Sequence, residues 1–324
     1  MARWYRPVLI IGAIGMLAVA ACGNGSSTAK GLVHVLYAAS LQDVMEHQIN
    51  PQFTKATGYG FAGEGKGSTA LASEITGHLR QPEIFISADP AVNATLMGAA
   101  NGNYVSWYAN FAGTQMVIGF SSQSHFAADL QAAQQGQKNW YDVLREPGLR
   151  LGRTDPKLDP KGYRSIIMLE LAETYYHQSG LRQQILGADE NPAQIFPEET
   201  LVSRLETGQL DAGIFYTTEV QTQHLPSITL PAQINLGDPA QATFYKTATT
   251  NASGKLVAGA PILYTVTIPS TSHNSSGAEA FVKYLLGSQG QQLLHQSGLT
   301  AVPFALSGDR AKVPSDILPL LASS

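Results

Sequence analysis

Short apolar runs alternate with longer helical stretches along the whole chain. The runs at 32–37, 84–87, 115–120, 149–152, 212–216 and 262–268 have strand length, and the stretches at 41–56, 69–78, 163–178, 198–206 and 278–296 read as helices. Within the third helix Ile166, Leu169 and Ala172 fall on one face, the stripe of an ordinary buried helix. Strands that alternate with helices predict packed α/β layers. No repeat of fixed period is present, and 121–138 is polar and alanine-rich, a surface helix or loop. Several strands end in a small or polar residue and pass at once into a helix: Ala39-Ser40 after 32–37, Gly67-Ser68-Thr69 before 69–78, and Pro160-Lys161-Gly162 before 163–178. Such edges are where α/β sheets hold ligands.

The N-terminus follows another pattern. Arg3 and Arg6 precede 14 uncharged, mostly apolar residues, 8–21. A membrane-spanning helix needs about 20 residues, so the run fits the apolar region of a signal peptide over 1–21 instead. It closes with Val19-Ala20-Ala21-Cys22 and a Gly/Ser-rich tract. Small residues before a cysteine resemble a bacterial lipobox, which makes Cys22 a lipidation site and 22–31 a flexible tether. The body would then sit on the extracytoplasmic face of the cell membrane as a lipoprotein.

Composition narrows the chemistry. A chain of 324 residues with 44% apolar and 14% charged residues is globular and long enough for two domains. A net charge of −4 argues against a nucleic-acid partner. One cysteine excludes an internal disulfide and any multi-cysteine metal site. The eight histidines include no pair at i, i+3 or i, i+4, so a histidine zinc site is unsupported, and no GxSxG elbow occurs. The run from Gly60 to Thr69 nearly matches a nucleotide-binding loop, but Gly67 separates Lys66 from Ser68, and the Ser/Thr must follow the Lys to reach Mg²⁺. What survives is either a glycine turn into a helix or a loop whose N–H groups face an anion. Tyr175-Tyr176 is either a phenolate pair for ferric iron or one core and one surface tyrosine at a helix end; neither lies at a strand-to-helix edge.

Ser40, Ser68, Tyr216 and the turn Asp159-Pro160-Lys161-Gly162 share one logic. Each follows a strand or opens a helix. Hydroxyls and helix-start amides hold a small oxyanion without formal positive charge. Any one of them alone also reads as an N-cap.

These residues lie in stretches that resemble a known family. LYAASL (36–41), GST (67–69), IFISAD (84–89), NWYDVL (139–144), DP (155–156), DPKGYRS (159–165), LAETYY (171–176), LETGQLD (205–211), FY (215–216), ILYTVTIP (262–269), AFVKYLL (280–286) and GQQLL (290–294) occur in the order found in periplasmic molybdate-binding proteins. The likeness is greater to the tungstate/molybdate-binding branch best known from archaea. It implies an α/β fold of two lobes, the type II periplasmic-binding-protein fold, with two crossing strands and the ligand between the lobes. Lobe 1 would be 32–113 plus 266–324 and lobe 2 would be 114–265, with crossings near 113–114 and 263–265. It also implies a monomer that closes on molybdate or tungstate and docks on an ABC transporter permease, with no cofactor, no catalytic residue and no chemical step.

Residue by residue, the resemblance makes Ser40 and Ser68 the serine anchors and Tyr216 the tyrosine of the second lobe. Lys161 falls where a backbone N–H is donated, at a position that carries Ala in most molybdate binders and often Cys in the tungstate branch. Asp159 and Glu198 fall where carboxylates reach the metal itself. Carboxylates beside a dianion repel it, unless they bond to its central atom. Molybdenum and tungsten accept six ligands, whereas sulfur in sulfate and phosphorus in phosphate do not. Such a site would take molybdate and tungstate and reject sulfate. The bland reading makes Asp159 a turn residue and Glu198 a helix-start acid. Sulfate would require both carboxylates to face away from the cleft, ferric iron would require Tyr175 and Tyr176 to face into it, and an enzyme on this scaffold would require a nucleophile with a base. Lys66, Lys157, Lys161 and Arg164 lie near the edges as sources of local positive potential.

Overall fold

A computed structural model describes Met1 and residues 30–321. The expected leader at 1–21 apart from Met1, the expected lipidation site Cys22 and most of the expected tether at 22–31 lie outside the described residues. Among the described residues twelve strands form: β1 (Leu32–Ala38), β2 (Gly60–Lys66), β3 (Ile84–Ser87), β4 (Trp107–Thr114), β5 (Met116–Phe120), β6 (Leu151–Gly152), β7 (Ala212–Tyr216), β8 (Ser227–Thr229), β9 (Thr249–Ala252), β10 (Lys255–Ala258), β11 (Ile262–Thr267) and β12 (Leu306–Gly308). One sheet has the order β12-β4-β11-β3-β1-β2 and a second the order β6-β7-β5-β8, while β9 and β10 form a separate hairpin. β1 runs parallel to β2 and β3, and β6 runs parallel to β7. β11 is antiparallel to both β3 and β4.

The chain passes from the first sheet to the second through Gln115, between β4 and β5, and returns through 259–261, between β10 and β11. Gly259 is required at the return, because a Cβ there would sit 2.3 Å from the Tyr245 carbonyl oxygen.

Each sheet is covered on both faces, and the period of two sorts its residues. Val33, Val35 and Tyr37 of β1, with Ile84 and Ile86 of β3, pack on one side with Phe53 and Phe281. Leu36 and Phe85 point the other way, against Leu71 and Ile75. In the second sheet Ile118 and Ile214 join the helix Pro160–Tyr176, whereas Val117 and Phe215 pack against Leu201 and Leu205.

Four expectations change. The glycine-rich run at 60–66 is strand β2 rather than a loop, and its glycines make room for a ring: a Cβ on Gly63 or Gly65 would lie 2.8 or 2.7 Å from Tyr37 ring carbons. The stretch 41–56 is divided into a 3₁₀ turn (Ala39–Leu41), a π-helix (Val44–Ile49) and an α-helix (Asn50–Thr57). The last long helix breaks at Gly287 into Ser275–Leu286 and Ser288–Gln296, since Gly287 is extended (φ −73°, ψ 166°). The helix expected from 163 starts at Pro160, because Asp159 caps it and Pro suits the first position.

Asp211 ties β7 to the segment before β6. Its Oδ2 accepts from the Arg150 backbone N–H (2.8 Å) and Nε (2.9 Å), and its Oδ1 from Arg150 Nη2 (2.8 Å) and the Ser124 hydroxyl (2.7 Å). Burial opposes ionisation, but the bonds from Arg150 and Ser124 outweigh it and hold the carboxyl below the usual 3.8. A depressed native pKa adds stability that is present above the unfolded-state value and is lost as pH falls through the native one. Asp211→Asn is therefore expected to cost about 2 kcal/mol in urea unfolding at pH 7. The gap to the parent protein narrows as the measurement moves toward pH 3, and an unchanged gap would show that the charge plays no part.

Candidate functional site

Five strand ends converge between the lobes. β1 leads to Ser40, β2 to Gly67 and Ser68, β3 to Ala88 and Asp89, β6 to the turn that ends at Asp159, and β7 to Tyr216. Ser40, Ser68, Asp159, Lys161, Glu198 and Tyr216 are all buried. Ser40, Glu198 and Glu219 line a hollow of about 200 Å³, and Gly67, Asp159 and Glu198 line another of about 350 Å³. The lobes meet tightly at this point. A Cβ on Gly67 would lie 2.5 Å from the Leu158 carbonyl oxygen and 3.0 Å from Asp159 Cβ, and the Ala70 N–H donates to that same carbonyl at 3.1 Å.

The three hydroxyls are held alike. Ser40 Oγ accepts from the Tyr264 hydroxyl (2.9 Å), Ser68 Oγ from the Ala88 N–H (3.0 Å) and Tyr216 Oη from Arg164 Nη1 (2.8 Å). Each oxygen thus has an acceptor position filled, while its own proton has no acceptor among the described residues. The three groups are set to donate.

The carboxylates are the opposite case. Asp159 Oδ1 accepts the Lys161 backbone N–H at 2.9 Å, the N-cap of the helix, so that N–H is spent on Asp159 and is not the free donor the resemblance implied. Asp159 Oδ2 and Glu198 Oε2 are buried with no donor among the described residues, and Glu198 Oε1 meets the Lys161 ammonium. The Lys161 ammonium, 0% exposed, forms ion pairs, 3.1 Å from Glu198 Oε1 and 2.5 Å from Glu219 Oε1. Glu219 Oε2 accepts the Tyr216 N–H at 2.7 Å. Burial, reinforced by the charge of Asp159, pushes the Glu198 carboxyl well above the usual range. Burial alone would lower Lys161; the charges of Glu198, Glu219 and Asp159 more than reverse it, and the amine stays protonated. Burial also raises Tyr216 above the ordinary tyrosine value. Glu199, the neighbour of Glu198, is exposed.

Arg164 joins the lobes. From the Pro160 helix it donates to the Ala88 carbonyl (2.7 Å) and to Asp89 Oδ2 (2.7 Å), both carried by the first sheet's lobe. Tyr163 donates to the same Oδ2 at 2.5 Å. Lys66 and Lys157 contribute little here: Lys66 pairs with Glu64 and Glu74, and Lys157 with the exposed Glu190. Tyr175 and Tyr176 end the 17-residue helix that Asp159 begins, roughly 24 Å away at 1.5 Å per residue. Tyr176 Oη takes a bond from Trp140 Nε1 at 3.2 Å and Tyr175 is exposed, so neither faces the cleft.

Sequence reasoning missed Asp89, Glu219 and Tyr264. Asp89 before Pro90 and Glu219 at the third position of its helix look like ordinary capping residues, and they do cap. Tyr264 Oη reaches Ser40 across 224 positions of chain, a distance no local signal spans.

The family model for bacterial extracellular solute-binding proteins matches residues 33–300. A putative ABC transporter molybdenum-binding protein of Haloferax volcanii is 32% identical over 90% of this chain and 88% of its own. The molybdate/tungstate-binding protein of Pyrococcus abyssi is 29% identical over 89% of this chain and 90% of its own. Among solved structures, the periplasmic molybdate-binding protein of Azotobacter vinelandii aligns with a TM-score of 0.57 at 16% identity, covering 83% of this chain and 99% of that one. That likeness bears on the fold, which is the two-lobed type II arrangement with ligand space between the lobes.

Proposed function

This chain belongs to the bacterial extracellular solute-binding proteins, and on that premise we propose that it captures molybdate or tungstate and delivers it to the permease of an ABC transporter. One observation carries the reading. Among the described residues the cleft presents three hydroxyls without acceptors beside two carboxylate oxygens, Asp159 Oδ2 and Glu198 Oε2, without donors. A buried polar group left unpaired is costly, so the arrangement calls for a ligand that satisfies both sets. An oxyanion whose central atom expands its coordination does so: its oxygens accept from Ser40, Ser68 and Tyr216, while Asp159 and Glu198 bond the metal. Sulfate offers only acceptors and would meet the carboxylates as like charges.

On this reading the protein acts by closure rather than by chemistry. The bonds from Arg164 and Tyr163 to Asp89 span the lobes and hold the closed form. Among the described residues no helix is long and apolar enough to cross a membrane. A lipid on Cys22 and the tether at 22–31 would hold a monomeric body at the outer face of the membrane, beside its permease.

Calorimetric titration of the full-length protein, stripped of bound anion, tests the reading. Saturable binding of molybdate and tungstate is expected, with no heat from sulfate. Equal binding of sulfate would sink the carboxylate-ligand assignment, and silence with all three anions would leave the resemblance standing for the fold alone.

A further inference from the structure

Lys161 is the residue the cleft accounts for least. Its backbone N–H is taken by Asp159, yet its side chain is 0% exposed and enters the same cluster of carboxylates. An ammonium carries three N–H donors. One is directed at Glu219 Oε1, and Glu198 Oε1 at 3.1 Å draws a second, which leaves one for another acceptor. Nζ also lies 5.6 and 5.5 Å from the ring centres of Phe215 and Tyr216, and with the side chain fully buried the head group has little freedom to turn elsewhere.

The charges point the same way. Asp159, Glu198 and Glu219 surround this ammonium, and an oxyanion brings two further negative charges. Arg164, a second buried cation at the cleft, is committed to Asp89, Ala88 and Tyr216. We propose that the Lys161 ammonium is itself a contact of the captured oxyanion, donating its remaining N–H to one of the anion's oxygens while Glu219 holds it in place. The side chain thereby supplies the donor that the backbone of this residue gives up to Asp159. The assignment rests on the oxyanion reading above, and it makes Lys161 and Glu219 a unit that lets a carboxylate-bearing site accept a dianion.

The test compares the full-length parent with Lys161→Met and with Lys161→Met/Glu219→Gln, titrated with molybdate. The single variant leaves Glu219 buried without its counter-ion. The double variant removes both charges, and the new amide oxygen still accepts the Tyr216 N–H. Loss of a hydrogen bond to a charged group predicts a Kd raised by about 10- to 100-fold in the double variant as well as the single one. If Lys161 serves only as the partner of Glu219, the double variant regains the parent Kd, and the assignment is overturned. A second measurement needs no variant: the ¹⁵Nζ resonance of Lys161 shifts when molybdate saturates the protein, and an unmoved resonance also overturns it. A parent protein that binds neither molybdate nor tungstate refutes the oxyanion reading and takes this assignment with it; a parent that binds beside a double variant of equal affinity refutes this assignment alone.

Discussion

Asp159→Asn is expected to leave the protein folded and to weaken molybdate and tungstate binding by at least about 100-fold, or ~2.7 kcal/mol. The two oxygens of this side chain have separate roles. Oδ1 caps the Pro160 helix through the Lys161 N–H at 2.9 Å, and Asn caps as well as Asp does. Oδ2 is buried with no donor among the described residues, and it is the atom that becomes an NH₂ group. The substitution therefore spares the helix and removes the proposed metal ligand. Calorimetry beside a thermal melt separates the two roles: the melt moves little and the affinity collapses. Affinity held within a few-fold would reduce Asp159 to a capping residue and end the metal-ligand assignment. Adding Glu198→Gln should go further, because it removes the second repelling charge and leaves amide donors facing the anion. Sulfate, silent with the parent protein, is expected to bind the double variant measurably.

How much of this was legible in the sequence depends on where the determining contact lies. The runs 84–87 and 212–216 match β3 and β7 because both strands are buried on both faces and read as unbroken apolar runs. Ser40, Ser68, Asp159 and Tyr216 were legible because a strand that runs into a helix start is a local feature. Strand β2 was not legible: most residues of Gly60–Lys66 carry no strand signal, and its glycines are explained only by what packs across them, Glu46, Phe61 and Tyr37 at Gly63 and the Tyr37 ring at Gly65. β4 hid a readable alternation, Trp107, Ala109 and Phe111 inward, among small and polar residues. The triad of Lys161, Glu198 and Glu219 is the plainest limit. Each residue looks like an ordinary member of a first helical turn, and only the packing of three helices brings the charges together.

Arg164→Met is expected to weaken capture by roughly 10²- to 10³-fold without removing any group that touches the anion. Arg164 bonds Ala88 and Asp89 on one side of the cleft and Tyr216 on the other. Without it Asp89 keeps only the Tyr163 hydroxyl and the Ala91 N–H, and a buried carboxylate stripped of its cation typically costs about 3–5 kcal/mol. That cost belongs to the closed form, because the broken bonds span the two lobes; in the open form Asp89 recovers water. The open state then gains population, and apparent affinity falls by the fraction of protein that remains competent to bind. Tyr216 adds a smaller term, since its hydroxyl loses the donor that aims its proton into the cleft. Small-angle scattering separates the lobe effect from the tyrosine effect. At a molybdate concentration that closes the parent, the variant should show a larger radius of gyration than the parent, and higher, saturating molybdate should bring the two together. A variant with parental affinity and an unchanged radius would show that the Asp89–Arg164 pair does not hold the lobes closed.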